Sequence, residues 1–263
     1  MKINNILIVY SKFKINYQKQ TINEIKRVLN KYGIRYKFIE RTTLNKSNYK
    51  NIDLIMPVGG DGTFLKASQF LFDKRPIYGV NSNPLKKEGF FMESTKKDFE
   101  KKLKKILQGV YKIRKLHRLE AYINNKKIKD LALNEFYVAS EKPYVTARYY
   151  LNIKGKREKQ KSSGILISTA AGSHAWIKSA GGKSFPIESD KFEYLIREPY
   201  CGRVSAKCAL FNQILDKNEK IEVIFEVGNG IIIADSLSKP YKFNAGQKVV
   251  IKMSKKPLHS ISF

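Results

Sequence analysis

Pro57-Val58-Gly59-Gly60-Asp61-Gly62-Thr63-Phe64-Leu65 constrains this chain more than any other stretch. The glycines follow an apolar run (Ile52, Leu54, Ile55, Val58), which predicts a strand that turns sharply into a helix. Glycine lets a backbone turn tightly and approach an anion, so its N–H groups can hold phosphate oxygens. A carboxylate inside such a turn would repel that phosphate unless it has a task of its own. Taking a proton from a hydroxyl that attacks the phosphate is such a task. The plainer alternative is a strand–turn–helix corner in which Asp61 caps the following helix.

With 263 residues the chain has room for one large domain or two modest ones. No apolar run approaches the roughly 20 residues that span a bilayer, and the N-terminus leads almost directly into Ile6-Leu7-Ile8-Val9-Tyr10 without a signal-like segment. Cys201 and Cys208 are too few for a disulfide framework or a zinc site and fit a reducing compartment. The expectation is a soluble, cytoplasmic protein.

The net charge of +28 admits nucleic acid or an anionic membrane as a partner. The lysines are nevertheless spread along the whole chain. The densest group, Lys96-Lys97, Lys101-Lys102 and Lys104-Lys105, falls on a predicted helix with apolar positions at Phe99, Leu103, Ile106 and Leu107, so it reads as a solvated helix face. Neither nucleic acid nor membrane is expected as a partner. A diffuse positive field still attracts polyanionic substrates such as nucleotides.

The first ~95 residues alternate strand and helix. Strand Ile6–Tyr10 precedes a helix near Gln20–Tyr32 that stops at Gly33. A strand near Arg35–Ile39, strand Ile52–Val58, the glycine turn, a helix over Thr63–Phe72 and strand Ile77–Val80 follow. This predicts an α/β domain (1–95) with a parallel sheet, whose ligands bind at the carboxyl ends of the strands. After a helix over Lys96–Leu107 the chain becomes a series of short β-rich runs: Leu119–Ile123, Tyr149–Ile153, Ile165–Ser168, Ile221–Val227, Ile231–Ala234 and Val249–Met253, with a turn at Asn124-Asn125. An all-β, sandwich-like domain over 96–244 is expected, with residues 245–263 returning to the first domain. The default site is a cleft between the two.

Two more segments carry chemistry. Leu131-Ala132-Leu133-Asn134-Glu135 ends an apolar run with an amide and a carboxylate, which can hydrogen-bond the hydroxyls of a sugar. Ser162-Ser163-Gly164 leads through Ile165–Thr169 into the small-residue turn Ala170-Ala171-Gly172-Ser173-His174-Ala175-Trp176. Small residues let a flat ring lie against the backbone, and Trp176 can pack beside it; tight packing of a sharp corner explains the same residues. His117 and His259 have no partner at ligand spacing, and no metal cage of side chains is expected.

In this order and spacing the segments resemble the NAD kinase family. Its Gly-Gly-Asp-Gly motif matches Gly59–Gly62, and its Gly-Ile-Asn-Thr segment resembles Gly79-Val80-Asn81-Ser82. Its Asn-Glu pair matches Asn134-Glu135, and its Thr-Gly-Ser-Thr-Ala-Tyr turn resembles Ala171–Trp176. Gly79–Pro84 followed by Glu88-Gly89, Lys161–Gly164 and Ala175-Trp176 look more like the mitochondrial-type branch. The resemblance implies ATP-dependent phosphorylation of the adenosine ribose 2′-hydroxyl of NAD to give NADP. Asp61 would be the general base, and Gly59, Gly60, Gly62 and Thr63 would face phosphates, with Lys66 as a nearby cation and Mg²⁺ arriving with ATP. Asn81, Asn134, Glu135, Ser163, Thr169 and the His174–Ser179 turn (His174, Ala175, Trp176, Ser179) would line the NAD site, in a dimer or tetramer.

The chain departs from the family pattern at several points. Ser163 stands where the common family carries Asp, His174 where it carries Thr, and Trp176 where it carries Tyr. Leu237 follows Asp235-Ser236 where a Gln is usual. Two other readings compete: a lipid kinase of the diacylglycerol type, which shares the first motif, and a non-catalytic module for nucleotide or nucleic acid.

Overall fold

The computed structural model describes residues 3–11, 16–202, 208–237 and 239–263. They divide into two units, residues 1–115 with Leu258–Phe263, and residues 116–257.

In the first unit β1 (Asn5–Tyr10) pairs in parallel with β2 (Arg35–Glu40) on one side and β3 (Leu54–Gly59) on the other. Ile6, Leu7, Ile8 and Val9 are fully buried, as a parallel strand covered on both faces requires. Beyond β3 the sheet forks. β4 (Pro76–Ile77) pairs through Ile55↔Ile77 and passes the sheet on to the C-terminal strand Leu258–Ser262. β5 (Gly79–Asn81) pairs through Val58↔Val80 and Gly59↔Asn81, then with β6 (Met92–Thr95). The single strand expected over Ile77–Val80 is thus two short pieces, each with its own neighbour.

Helix α1 (Asn16–Lys31) buries Ile22, Ile25, Val28 and Leu29, positions three and four apart that line one helix face. It ends at Gly33, whose φ of 63° is open to glycine at little cost. α2 (Asp61–Ser68) starts directly after the glycine turn. α3 (Phe99–Leu107) buries Phe99, Leu103 and Ile106 in the same core as Ile25, Val28 and Leu29. This shared core is why the first unit runs to Lys115 rather than ending at residue 95, with β7 (Lys112–Leu116) at the far edge of its sheet. At the other end only Leu258–Phe263 belongs to the first unit. The segment expected to return with it, Lys248–Met253, instead pairs within the second unit.

The second unit is two antiparallel six-stranded sheets. One holds β8 (Leu119–Ile123), β9 (Lys126–Ala132), β11 (Ala147–Ile153), β12 (Lys156–Ser162), β16 (Lys220–Phe225) and β19 (Lys248–Met253), in the order β12-β11-β16-β19-β8-β9. The other holds β10 (Glu135–Ser140), β13 (Gly164–Thr169), β14 (Phe192–Arg197), β15 (Asn212–Leu215), β17 (Asn229–Ala234) and β18 (Tyr241–Asn244), in the order β15-β14-β13-β10-β17-β18. Alternate residues from both sheets form one core, Tyr149, Leu151, Val223 and Ile251 against Phe136, Val138, Ile165 and Ile167. The expected all-β sandwich is therefore present. Asn124 and Asn125 turn β8 into β9 with φ of 46° and 66°, the left-handed pair of a tight hairpin.

Cys201 and Cys208 are joined in a disulfide with Cα atoms 6.0 Å apart. This corrects the expectation of cysteines without a bridge: the Cα separation falls within the range that a disulfide spans. Among the described residues no helix is long and apolar enough to cross a membrane.

Candidate active site

In the first unit the carboxyl end of β3 opens onto a pocket of about 710 Å³ lined by Gly60, Asp61, Gly62 and Thr63. Gly60 lies just before the helix in extended backbone and Asp61 occupies its first turn. Here the helix dipole presents its positive end. The motif's glycines leave room that any side chain would take. A Cβ at Gly59 would sit 2.4 Å from Thr63 Oγ1, and one at Gly60 would sit 2.9 Å from Lys87 Cδ.

Asp61 is held from both sides. Its Oδ2 accepts the N–H of Gly89 at 3.1 Å and its Oδ1 the N–H of Phe91 at 3.0 Å. Each oxygen keeps further acceptor capacity, and the residue lines the pocket. Asn81 shapes the loop that supplies these amides. It is buried, its amide nitrogen donates to Lys87 O at 3.1 Å, and its oxygen accepts the Asn83 N–H at 3.0 Å. The structure therefore places Asn81 behind the pocket as a loop staple.

Lys66 lies elsewhere. Its ammonium donates to Gln69 Oε1 at 2.9 Å and sits over the Phe70 ring. The cations that line the pocket are Arg41, just after β2, and Lys87, in the loop after β5. Neither was singled out in the sequence, where they are two among 51 Lys and Arg residues.

The second unit gathers Asn134, Glu135 and Thr169 around Asp235. The Asp235 carboxylate accepts the N–H groups of Leu133 (3.1 Å), Asn134 (2.7 Å) and Glu135 (3.3 Å). Asp235 and Ser236 both have left-handed φ, 51° and 52°, which turns the carboxylate back onto these amides. Thr169 is fully buried: its hydroxyl donates to Leu133 O and accepts the Gly172 N–H at 3.0 Å, so it ties the turn rather than facing a cavity. Gly172 packs directly on the Asn134 carbonyl, where a Cβ would lie 2.1 Å from the oxygen.

Two buried side-chain oxygens in this cluster, Asn134 Oδ1 and Glu135 Oε2, have no hydrogen-bond partner among the described residues. Buried polar atoms without partners cost free energy, so these two oxygens invite a ligand's hydroxyls. Burial, helped by the Asp235 charge, pushes the Glu135 carboxyl up to about 8. Asp235 rises to about 6 because burial outweighs its three amide donors and the Arg118 charge. At neutral pH Glu135 carries a proton and can donate as well as accept.

The remaining expected residues lie along the turn that follows β13 and beside it. Trp176 opens helix α4 (Trp176–Ser179) and packs at 5.0 Å, ring to ring, on Tyr137, with the Arg197 guanidinium 5.2 Å from its ring. Ser163 accepts the Tyr137 hydroxyl at its carbonyl, 2.6 Å away, and donates its N–H to Arg197 O. His174 is exposed, with Nε2 3.1 Å from Phe185 O. Ala175 is half-buried and Ser179 exposed at the end of α4.

Among the described residues no three His, Cys, Asp or Glu side chains cluster as a metal cage. The carboxylates that line the pocket are Asp61, Glu40 and Glu88.

Residues 5–111 match the family model for the ATP-NAD kinase N-terminal domain. The chain is 31% identical to an NAD kinase of Clostridium tetani over 196 residues, 73% of this chain and 68% of that one. It is 28% identical to a probable NADH kinase of Oryza sativa subsp. japonica over 95% of this chain and 83% of that one. An NAD kinase from Archaeoglobus fulgidus, solved in complex with ATP, superposes with a TM-score of 0.78 at 25% identity, over 98% of this chain and 93% of that one. Yeast NADH kinase, solved with NADH, shares the fold at a TM-score of 0.83 and 15% identity, over 100% of this chain and 84% of that one. On these matches and this site, the chain belongs to the NAD kinase family.

Proposed function

We propose that the protein transfers the terminal phosphate of ATP to the adenosine ribose 2′-hydroxyl of NAD or NADH. The observation that carries this is Asp61, a carboxylate fixed by two backbone amides inside a glycine-lined, cation-flanked pocket at a helix start. Asp61 takes the proton of the 2′-hydroxyl as its oxygen attacks the γ-phosphorus, and the bond from phosphorus to the bridging oxygen breaks, releasing ADP. The amides of Gly60, Gly62 and Thr63 hold donor phosphates. Mg²⁺ bound to those phosphates supplies further charge neutralisation. In the second unit Asn134 and Glu135 bind ribose hydroxyls through their unpartnered oxygens, and Trp176 flanks the adenine.

The branch features Gly79–Pro84 and Lys161–Gly164, with the similarity to plant NADH kinases over most of the chain, support a place near the mitochondrial-type branch. They make NADH a substrate to be tested beside NAD. An oligomeric enzyme in the cytoplasm is part of the same reading, with the Cys201–Cys208 bridge removing the cysteine argument for a reducing compartment. The comparisons favour neither the lipid-kinase nor the non-catalytic alternative.

The test is to incubate the purified chain with ATP and Mg²⁺ and either NAD or NADH, then quantify NADP or NADPH with an NADP-specific dehydrogenase. Product from either acceptor supports the reading; none from folded protein overturns it.

A further inference from the structure

Arg41 and Lys87 come from different loops, yet both line the pocket in front of Asp61. Each is seated by a glycine of the motif. The Lys87 stem passes so close to Gly60 that a Cβ there would lie 2.9 Å from its Cδ, and a Cβ at Gly62 would lie 3.3 Å from Arg41 Nη1. The Lys87 ammonium is steadied by Ser82 Oγ at 3.3 Å. Ser82 is itself buried, and its backbone N–H donates to Gly59 O at 2.9 Å. Among the described residues neither cation is within ion-pair distance of a carboxylate. Burial and the neighbouring Arg41 charge both disfavour the charged form of Lys87. Two cations facing one cavity raise each other's energy, and the carboxylates of the same pocket, Glu40, Asp61 and Glu88, lie beyond ion-pair distance of both, so an anion bound between the cations lowers it.

We propose that Arg41 and Lys87 form a paired cationic clamp for the phosphate chain of the donor. The glycines flanking Asp61 then have two tasks: their amides face the phosphates, and their missing side chains let the two cations close on the same oxygens. Arg41 offers a planar fork of donors to a phosphate edge, and Lys87 a compact point charge. Lys66 has no part in it, because its ammonium is engaged by Gln69 and Phe70. The role of the bound chain as phosphoryl donor rests on the kinase reading; the binding of a phosphate chain does not.

The experiment measures the affinity of inorganic tripolyphosphate for wild type, Arg41→Met, Lys87→Met and Lys66→Met by calorimetry, over a range of salt. It is paired with KM for ATP and for NAD. The expected result is a loss of about tenfold or more for each of the first two variants, the scale of a lost hydrogen bond to a charged group. Their salt dependence falls as well, while Lys66→Met binds like wild type. KM for ATP rises and KM for NAD stays. Lys87→Arg recovers most of the tripolyphosphate affinity, whereas Arg41→Lys keeps the charge but loses the fork and recovers only part of it. Thermal unfolding of each variant checks that the fold is kept. Wild-type affinity in both Arg41→Met and Lys87→Met, or a loss in Lys66→Met alone, overturns the clamp. A chain that binds tripolyphosphate through the clamp but makes no NADP overturns the kinase reading and leaves the clamp standing.

Discussion

Replacing Glu135 by Gln removes one ionisable group from the second unit while keeping its shape. Glu135 is 4% exposed and faces the Asp235 carboxylate, itself fully enclosed near Arg118. Its folded carboxyl titrates near 8, against 4.5 for an ordinary glutamate. Between these values the unfolded chain has released the proton and the folded chain still holds it. A pKa raised by folding contributes stability that is complete below about pH 4.5 and is lost as pH rises through about 8. From about pH 5 to about pH 8, at roughly 1.36 kcal/mol per unit, the loss comes to about 3 kcal/mol. A glutamine amide has no proton to release, so the Glu135→Gln chain escapes this loss. Asp235, pushed up to about 6, titrates in both chains, so the difference between them isolates Glu135. Trp176 is the chain's one tryptophan and lies in the second unit. Urea unfolding followed by its fluorescence therefore reports on the right part of the molecule. Wild type is expected to lose about 3 kcal/mol more than Glu135→Gln over this pH range. Equal losses would show that Glu135 is ionised in the folded chain, and the burial argument would be wrong.

Gly172→Ala forces a Cβ to within 2.1 Å of the Asn134 carbonyl oxygen. It should destabilise the second unit by about 1–3 kcal/mol, as overpacking does, and raise KM for NAD, while tripolyphosphate binding in the first unit is unchanged. Both quantities come from urea titration and the coupled assay. The Cys201–Cys208 bridge predicts no thiol reactive to Ellman's reagent in the denatured, unreduced protein, and full reaction of both cysteines after dithiothreitol.

The strand–turn–helix corner at Gly59–Thr63 was legible because its signals are local: an apolar run, then residues with no side chain. The antiparallel strands with clean alternation, such as Ile221–Phe225, were legible for the same reason. β12 was not, because Lys-Arg-Glu-Lys-Gln-Lys-Ser hides an edge strand behind charge, a common guard against edge-to-edge pairing. Arg41 and Lys87 were not singled out because a cation carries no mark in a lysine-rich chain, and their place at the pocket shows only in the fold, where each passes a glycine of the motif. Lys66 follows the motif in sequence but turns its ammonium to Gln69 and Phe70, because proximity in sequence says nothing about which side of a helix a side chain takes. The Asp235 role was hidden for another reason. Its three amide donors are about a hundred residues away in sequence, and only the left-handed turn at Asp235-Ser236 brings the carboxylate onto them.

The central claim rests on Asp61, and Asp61→Asn tests it most directly. The amide keeps the side chain's size and one acceptor oxygen but cannot take a proton. The account predicts that NADP formation from ATP and NAD falls by at least about 100-fold, the scale of losing a general base. One of the two backbone amides that hold Asp61 loses its acceptor, so stability should fall by about 1–3 kcal/mol with the fold kept, and tripolyphosphate affinity should be kept or raised because a charge that repels phosphate is gone. Turnover within a few-fold of wild type would contradict the assignment of Asp61 as the base.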